Sequence, residues 1–112
     1  MATGPILRGT TPPIKIRLKR TDLEVNTIEI LELKIWQEAH ELIKHLSDVT
    51  IDTEDNSINY EMTEEETLAF NTKSTAKIRC RFGIGTKRRG TGVYNISFTG
   101  DDVSGLLVDA SI

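Results

Sequence analysis

The sequence predicts an all-β protein, an antiparallel β-sandwich of the immunoglobulin-like or jelly-roll-like kind with one short helix near residues 64–70. Several segments alternate apolar and polar residues, which is typical of half-buried strands. These segments recur roughly every ten residues and are separated by turn-forming residues, a spacing typical of sandwiches and small barrels. A chain of 112 residues suffices for one domain. We expect an extended arm at residues 1–13 and one domain at residues 14–112.

Composition excludes several classes of protein. The net charge of −3 argues against a globally basic nucleic-acid binder, and a single cysteine excludes a disulfide scaffold or a multi-cysteine metal site. No apolar run exceeds three residues, so the sequence predicts no membrane-spanning segment. The first residues lack the basic and apolar regions of a signal peptide. We therefore expect a soluble protein that is made in a reducing compartment.

The first thirteen residues contain all three prolines of the chain and two of its glycines. Proline cannot donate a hydrogen bond to a sheet, so this stretch is predicted to be an extended arm or an edge segment. Residues 14–19 then alternate apolar and basic without exception, which predicts a strand with one apolar and one basic face. The basic face carries Lys15, Arg17 and Lys19.

The pattern of residues 28–46 allows two interpretations. Apolar residues recur every three or four positions, at Ile28, Leu31 and Ile35 and onward, which is typical of an amphipathic helix. Within the same stretch, Leu31, Leu33 and Ile35 alternate with Glu32 and Lys34, which is typical of a strand. The residues by themselves leave the choice open. Trp36, the lone tryptophan, lies in this stretch and is expected in the core, with an interface position as the alternative.

The second half of the chain has clearer local signals. Residues 49–53 and 57–62 alternate around a turn-rich link and predict a β-hairpin. Thr63 followed by Glu66 is a capping box, which predicts the short helix. Residues 76–82 alternate apolar and basic and predict another strand. We expect a glycine-containing loop at residues 83–92, a returning strand at 93–98, and a final apolar segment at 103–112.

Residues that carry enzymatic or metal chemistry are not grouped in the sequence. His40 and His45 are five positions apart and have no third ligand nearby in the chain. Cys80 alternates with apolar residues and is expected to be a small buried side chain. The three consecutive glutamates that begin at Glu64 are explained by helix capping. We therefore expect no enzyme, no catalytic residues, no metal and no cofactor.

Charge is segregated along the chain. Residues 22–66 contain fourteen acidic and two basic residues, and the two flanks contain twelve basic and three acidic ones. One interpretation is a polar protein that docks onto copies of itself or onto a charged partner. The other is that acidic and basic segments pair across neighbouring strands. If residues 14–19 and 76–82 form adjacent strands, six basic side chains share one solvent face, which would also suit nucleic acid.

Four short stretches resemble small structural proteins of tailed bacteriophages and prophages, mainly of Firmicutes. They are the ILRGTTP stretch at residues 6–12, LSDVTID at 46–52, MTEEETL at 62–68, which is similar to a T-x-E-E-T-L motif, and LVDASI at 107–112. The last resembles an L-x-D-G-x-I ending, with Ala110 where glycine is usual. The chain also resembles, more weakly, the N-terminal domain of phage baseplate upper proteins.

This resemblance implies a hairpin at residues 28–46 with its turn near residues 38–40, although the usual Asn-Gly is missing there. It also implies a non-enzymatic virion protein of the tail, baseplate or neck, made in the host bacterial cytoplasm. A capsid-decorating protein is the alternative within the virion, and a small nucleic-acid-binding or regulatory module is the alternative outside it. The expected partners are other virion proteins and copies of the chain itself, with no nucleic acid, membrane or small-molecule substrate.

The arm, the basic strand faces and the loop at residues 86–91 are the expected docking surfaces, because extended arms and arginine-rich loops suit contacts with a neighbouring subunit. The residues expected at protein interfaces are Ile6, Leu7, Arg8, Lys15, Arg17, Lys19, Arg79, Arg81, Lys87, Arg88 and Arg89.

Overall fold

The computed structural model describes residues 6–19, 23–99 and 108–111. The fold is all-β and sandwich-like, as the alternating segments predicted, with two main sheets and one short helix. In the described ranges the strands are β1 Ile6–Leu7, β2 Pro13–Arg17, β3 Ile30–Gln37, β4 His40–His45, β5 Thr50–Asp52, β6 Ser57–Glu61, β7 Ala76–Ile84, β8 Lys87–Gly90, β9 Tyr94–Ile96, β10 Phe98–Thr99 and β11 Val108–Ser111. The helix is α1 Glu64–Leu68, and the 3₁₀ turns are Val25–Thr27 and Leu46–Asp48.

One main sheet has four strands in the order β11-β2-β6-β5, and the other has five, in the order β4-β3-β7-β8 with β9 also paired to β7. Most neighbours are antiparallel, as expected. The pair β11 and β2 is parallel, and so is the separate two-stranded pair of β1 and β10. In the final apolar segment, the structure describes only β11, and residues 100–107 and 112 lie outside the described ranges.

The core lies between the inner faces of the two main sheets. The four-stranded sheet contributes Ile14, Ile16 and Ile58, and all three side chains belong to one buried apolar cluster with those of the other sheet. The five-stranded sheet contributes Leu31, Leu33, Ile35, Ile78, Cys80 and Phe82. Cys80 is fully buried among apolar neighbours, so the expectation of a small buried side chain is confirmed.

Residues 28–46 form a hairpin, and the helical interpretation is wrong. Gln37 pairs with His40, so a two-residue turn joins β3 to β4 at the position that the resemblance implied. Glu38 has a φ of 53° and supplies the left-handed backbone that an Asn-Gly turn would have supplied. Strand β3 pairs with β4 on one side and with β7 on the other. These pairings bury Leu31, Leu33 and Ile35 on one face, and they outweigh the local helical spacing.

The glycine-containing loop expected at residues 83–92 is largely a second hairpin. Gly83 and Ile84 extend β7, and β8 returns antiparallel to it, with Ile84 paired to Lys87. Gly85 has a φ of 58°, a conformation that glycine adopts without steric cost and that permits this two-residue turn. The returning strand is confirmed as β9, whose three residues pair with the beginning of β7.

Residues 6–13, the described part of the predicted arm, pack against the domain. Ile6 is fully buried, and its backbone amide donates a hydrogen bond to the Ser97 carbonyl at 2.7 Å. The Gly9 amide donates to the Thr67 hydroxyl at 2.9 Å, and the Met62 amide donates to the Pro12 carbonyl at 3.0 Å. Residues 6–12 are therefore held against their own domain, Pro13 begins the interior strand β2, and residues 1–5 lie outside the described ranges.

The capping box at the start of α1 is present as predicted. The Glu66 amide donates to the Thr63 hydroxyl at 3.1 Å, and the Thr63 amide donates to the Glu66 carboxylate at 2.8 Å. Two backbone groups at the helix terminus are thereby satisfied. In the described part of the chain no helix has the length and apolar character needed to span a membrane.

Replacing Thr63 with alanine should lower the free energy of unfolding by about 1 kcal/mol, because the side chain that satisfies the first turn is lost. Urea denaturation measures this loss. The matched control is Thr53→Ala, at an exposed position in the β5–β6 turn, for which we expect a change within about 0.5 kcal/mol. Equal losses in the two variants would contradict the stabilising role of the cap.

Candidate functional site

The basic residues lie on two different sheets. Lys15 and Arg17 are on β2 of the four-stranded sheet, whereas Arg79 and Arg81 are on β7 of the five-stranded sheet. The condition for one shared basic face, that these two strands are neighbours, is therefore not met. Sequence alternation identifies the outward residues of a strand, but it does not specify the neighbouring strand.

On the four-stranded sheet, Lys15 is engaged within the chain. Its ammonium group forms a salt bridge with Asp55 of the β5–β6 turn. The hydrogen bond from Lys15, followed by one from Ser57, holds the pKa of the Asp55 carboxyl below its usual value. A residue of the basic flank thus pairs with one of the acidic middle. Lys19 is exposed just after β2.

The five-stranded sheet presents an outer face on which Trp36 is half-buried. The register places Lys34 opposite Arg79 and Trp36 opposite Lys77. The Lys34 ammonium lies 5.3 Å from the centroid of the Trp36 ring, and the Arg79 guanidinium lies 5.5 Å from it, both cation–π contacts. The expected core position of Trp36 is wrong, because even-numbered residues of β3 point away from the core.

Acidic residues on this outer face partly neutralise its cations. Glu32 lies 3.6 Å from Arg79, and Glu41 lies 3.2 Å from Lys34. Strand β3 belongs to the acidic middle of the sequence and pairs along its length with the basic strand β7. The interpretation that segregated charges pair across strands is therefore confirmed for these residues.

At the β8 end of the outer face, the structure has an open groove of about 590 Å³. We call it the arginine groove, because four arginines line it beside the exposed apolar side chain of Ile30. The arginines are Arg79, Arg81, Arg88 and Arg89. Glu32 also lines the groove and brings one carboxylate to it. The groove therefore combines an excess of positive charge with one exposed apolar side chain, that of Ile30.

Gly83 lets the Arg88 side chain lie flat against the sheet. A Cβ atom at this position would stand 2.8 Å from a terminal nitrogen of Arg88 and 2.8 Å from Ile30. The guanidinium of Arg88 donates to the carbonyls of Gly85 at 3.1 Å and Lys87 at 3.2 Å. These bonds to its own turn fix the cation at the rim of the groove.

Three arginines of the groove have no carboxylate partner within the described ranges. Arg89 donates to the Arg88 carbonyl at 3.1 Å, and neither it nor Arg81 or Arg88 forms a salt bridge with a described residue. The Nε atoms of Arg79 and Arg89 are buried and lack a hydrogen-bond partner among the described atoms. Buried donors without partners are costly. The groove therefore carries cations that no carboxylate of the described residues neutralises.

Large apolar side chains are exposed on the same outer face. Ile30 is 58% exposed and borders the arginine groove, and Ile43 of β4 is 40% exposed. The register places Ile43 opposite Lys34, so it lies close to the Trp36 site. Apolar residues beside arginines and a tryptophan are the composition enriched in protein interfaces.

A second ionic cluster joins α1 to β4 and β6. Lys44 lies 2.9 Å from the Glu66 carboxylate, and the Tyr60 hydroxyl donates to that carboxylate at 2.6 Å. Burial alone would raise the pKa of Glu66, but hydrogen bonds from Tyr60, the Thr63 amide and Lys44 outweigh it and lower the pKa. Burial and then Glu66 raise the pKa of Tyr60 to about 12. This cluster is a structural tie between elements.

Because the pKa of Glu66 is lower in the folded chain, the unfolded chain binds more protons around the ordinary value of 4.5. Stability should therefore be lost as pH falls from about 4.5 through the folded pKa. Glu66→Gln, which keeps the capping box, should flatten this dependence in urea titrations between about pH 6 and pH 3. The exposed neighbour gives the control Glu65→Gln, which should keep the wild-type slope. If the free energy of unfolding of Glu66→Gln fell with pH as steeply as that of the wild type, the contribution assigned to Glu66 would be contradicted.

The other candidate groups do not form a reactive site in the described ranges. Burial and then Glu32 raise the pKa of the Cys80 thiol to about 12, so it stays protonated at neutral pH. His40 packs edge-on against Phe70 with ring centroids 4.8 Å apart, and His45 lies at the other end of β4. No group of three or more potential metal ligands occurs among the described residues.

The remaining predicted interface residues are dispersed. Ile6 is in the core, and Arg8 donates to the Leu68 carbonyl at 2.8 Å, so both support the fold of this chain. Leu7 pairs with Thr99 in β1, and Lys87 is exposed at the start of β8.

The structure brings the four arginines of residues 79–89 together in one groove. Trp36 had an interface position as its alternative, whereas the exposed side chains of Ile30 and Ile43 were missed. The alternation of residues 30–37 was a signal that could have identified Ile30 as an outward residue. Neither a protein-family model nor a curated protein matches the sequence.

Proposed function

We propose that this chain is a non-enzymatic structural protein of a bacteriophage virion, located in the tail, baseplate or neck, where it docks onto neighbouring subunits. The observation that carries the docking role is the outer face of the five-stranded sheet. There, exposed Ile30 and Ile43, half-buried Trp36 and the arginine groove form one surface. Such a mixture of apolar, aromatic and arginine side chains suits protein contacts.

The location in a virion is supported by the four stretches that resemble phage structural proteins. Two of them correspond to well-defined local structure. Residues 62–68 contain the capping box and α1, and residues 46–52 contain a 3₁₀ turn followed by β5. The resemblance therefore involves residues that shape the fold of this chain.

Quantitative mass spectrometry of gradient-purified particles from the source strain, induced where it carries a prophage, tests this function. We expect the protein at a fixed ratio to the major capsid protein. Few copies per particle would assign it to the tail, baseplate or neck, and hundreds would assign it to capsid decoration. Absence from clean particles would overturn the virion function.

A nucleic-acid-binding role is the second candidate, and the grouping of four arginines beside a tryptophan favours it. Against it, the Trp36 ring is already covered by Lys34 and Arg79, which leaves less of the ring for stacking a base. Retention on a DNA column that falls steeply with salt would support this role. Equal elution of the wild type and Arg88→Ala would contradict it.

A further inference from the structure

We propose that the arginine groove of one copy of this chain binds a second copy through the exposed glutamates at the start of its helix α1. This inference rests on the docking function proposed above and specifies the partner and the two surfaces. The contact joins arginines to carboxylates, which form short and strong charge-assisted hydrogen bonds.

The groove provides cations that have no acidic partner among the residues that the structure describes. Arg81, Arg88 and Arg89 form no salt bridge with any described residue, and the buried Nε of Arg89 has no acceptor in the described ranges. Arg88 is held by two backbone carbonyls, so little side-chain freedom would be lost on binding. Carboxylates that enter the groove would supply acceptors to the exposed guanidinium groups of Arg81 and Arg88.

The complementary surface lies beside α1. Glu61 ends β6, and Glu64 and Glu65 form the first turn of α1; all three are exposed and form no ion pair with a described residue. Their neighbour Glu66 is bound by Lys44 and Tyr60, which holds the turn in place. The chain thus displays a carboxylate cluster with a defined backbone, and no cation among the described residues pairs with it.

The two surfaces do not meet within one described copy. Helix α1 is tied to β4, at one edge of the five-stranded sheet, through Lys44 and Glu66, whereas the groove is lined mainly by residues of β3, β7 and β8. In the described structure, the exposed glutamates beside α1 form no salt bridge with an arginine of the groove. The contact is therefore placed between two copies. Contacts between two different patches are head-to-tail and generate a ring or a filament.

A second copy fits the groove better than a nucleic acid does. The exposed side chain of Ile30 gives the groove an apolar contact that phosphates would not use, and Glu32 places a negative charge among the arginines. The net charge of −3 opposes binding to a polyanion over the rest of the surface. The acidic residues that give this net charge are concentrated in residues 22–66, which include the proposed complementary surface.

Sedimentation velocity of the purified chain tests the contact at ionic strengths of about 0.1 M and about 1 M, where the Debye length falls from about 10 Å to about 3 Å. We expect concentration-dependent association that high salt weakens.

Two double variants test the two surfaces separately. The dissociation constant should rise at least about tenfold in Arg88→Ala/Arg89→Ala and also in Glu64→Ala/Glu65→Ala. Mixed together, these two variants should form only 1:1 dimers, because each retains one of the two surfaces. Lys19→Ala/Lys73→Ala removes the same charge from exposed positions elsewhere and should associate like the wild type.

Exchanging the charges of the two surfaces distinguishes a lost contact from a variant that has failed to fold. Arg88→Glu/Arg89→Glu should be monomeric, and adding Glu64→Arg/Glu65→Arg to the same chain should restore association. A wild type that stays monomeric under both conditions, or an exchanged chain that stays monomeric with a native circular dichroism spectrum, would overturn the inference. So would binding of duplex DNA by a monomeric wild type that depends on Arg88 and Arg89.

The particle measurement distinguishes this inference from the function on which it rests. A protein that is present in particles but monomeric in solution would leave the virion function standing and overturn the contact. A protein that is absent from particles but associates with the predicted charge dependence would overturn the virion function and leave the contact between copies standing.

Discussion

Replacing Phe70 with alanine should lower the free energy of unfolding by about 3–5 kcal/mol, the range for removing a buried aromatic side chain. Phe70 is 1% exposed and stacks on Phe98, with ring centroids 4.5 Å apart and planes 2° apart. His40 packs against its edge. The ring thus joins the segment after α1 to β10 and to the β3–β4 hairpin, and its removal would leave a cavity at the junction of all three.

Urea denaturation followed by circular dichroism measures the loss. Leu68→Ala is the matched control, because Leu68 lies two residues away and is 51% exposed, and its replacement should change stability by less than about 0.5 kcal/mol. Phe70→Leu should lose less than Phe70→Ala, since it leaves a smaller cavity. A loss in Phe70→Ala as small as that of Leu68→Ala would show that the ring does not organise this junction.

Replacing Gln37 with methionine should lower the free energy of unfolding by about 2–4 kcal/mol, because it removes hydrogen bonds from a buried site while keeping the side-chain volume. The Gln37 amide donates to the carbonyls of Asn71 at 3.0 Å and Ser74 at 2.6 Å, and it accepts from the Asn71 amide at 2.8 Å. The side chain is buried at the end of β3. Methionine would leave three backbone groups without these partners.

Stability and local hydrogen exchange together test this role. Besides the loss of stability measured in urea, the backbone amide hydrogen of Asn71 should exchange faster in Gln37→Met, because its acceptor is gone. Lys77→Met introduces the same residue at an exposed position of the same sheet and should be nearly neutral. Unchanged exchange at Asn71 would contradict the assigned bond even if the variant were destabilised.

The elements that were predicted correctly from the sequence are those whose signals are local. Strand β7 follows from strict alternation of apolar and basic residues, because a period of two puts one set of side chains in the core. The β5–β6 hairpin and the capping box at Thr63 depend on residues within a few positions of one another. For the same reason, the burial of Cys80 was predictable from its two apolar neighbours on the strand.

The candidate site was predictable only in part. Alternation and charge identified Arg79, Arg81, Arg88 and Arg89 as outward or exposed cations, and the structure brings them to one groove. The same reasoning grouped them with Lys15 and Arg17, which lie on the other sheet. Local periodicity carries no information on which strands become neighbours, so the composition of a surface formed by several strands is not contained in any one of them.

Tertiary contacts decided the remaining features. Residues 28–46 have apolar spacing that suits both a helix and a hairpin, and pairing of β3 with both β4 and β7 selects the hairpin. That choice moves Trp36 from the expected core to the outer face, between Lys34 and Arg79. Burial of Ile6 likewise depends on pairing with a strand some ninety residues further along the chain. Residues close in sequence determine the local conformation, whereas the free energy gained by pairing distant strands and burying their shared face determines the site.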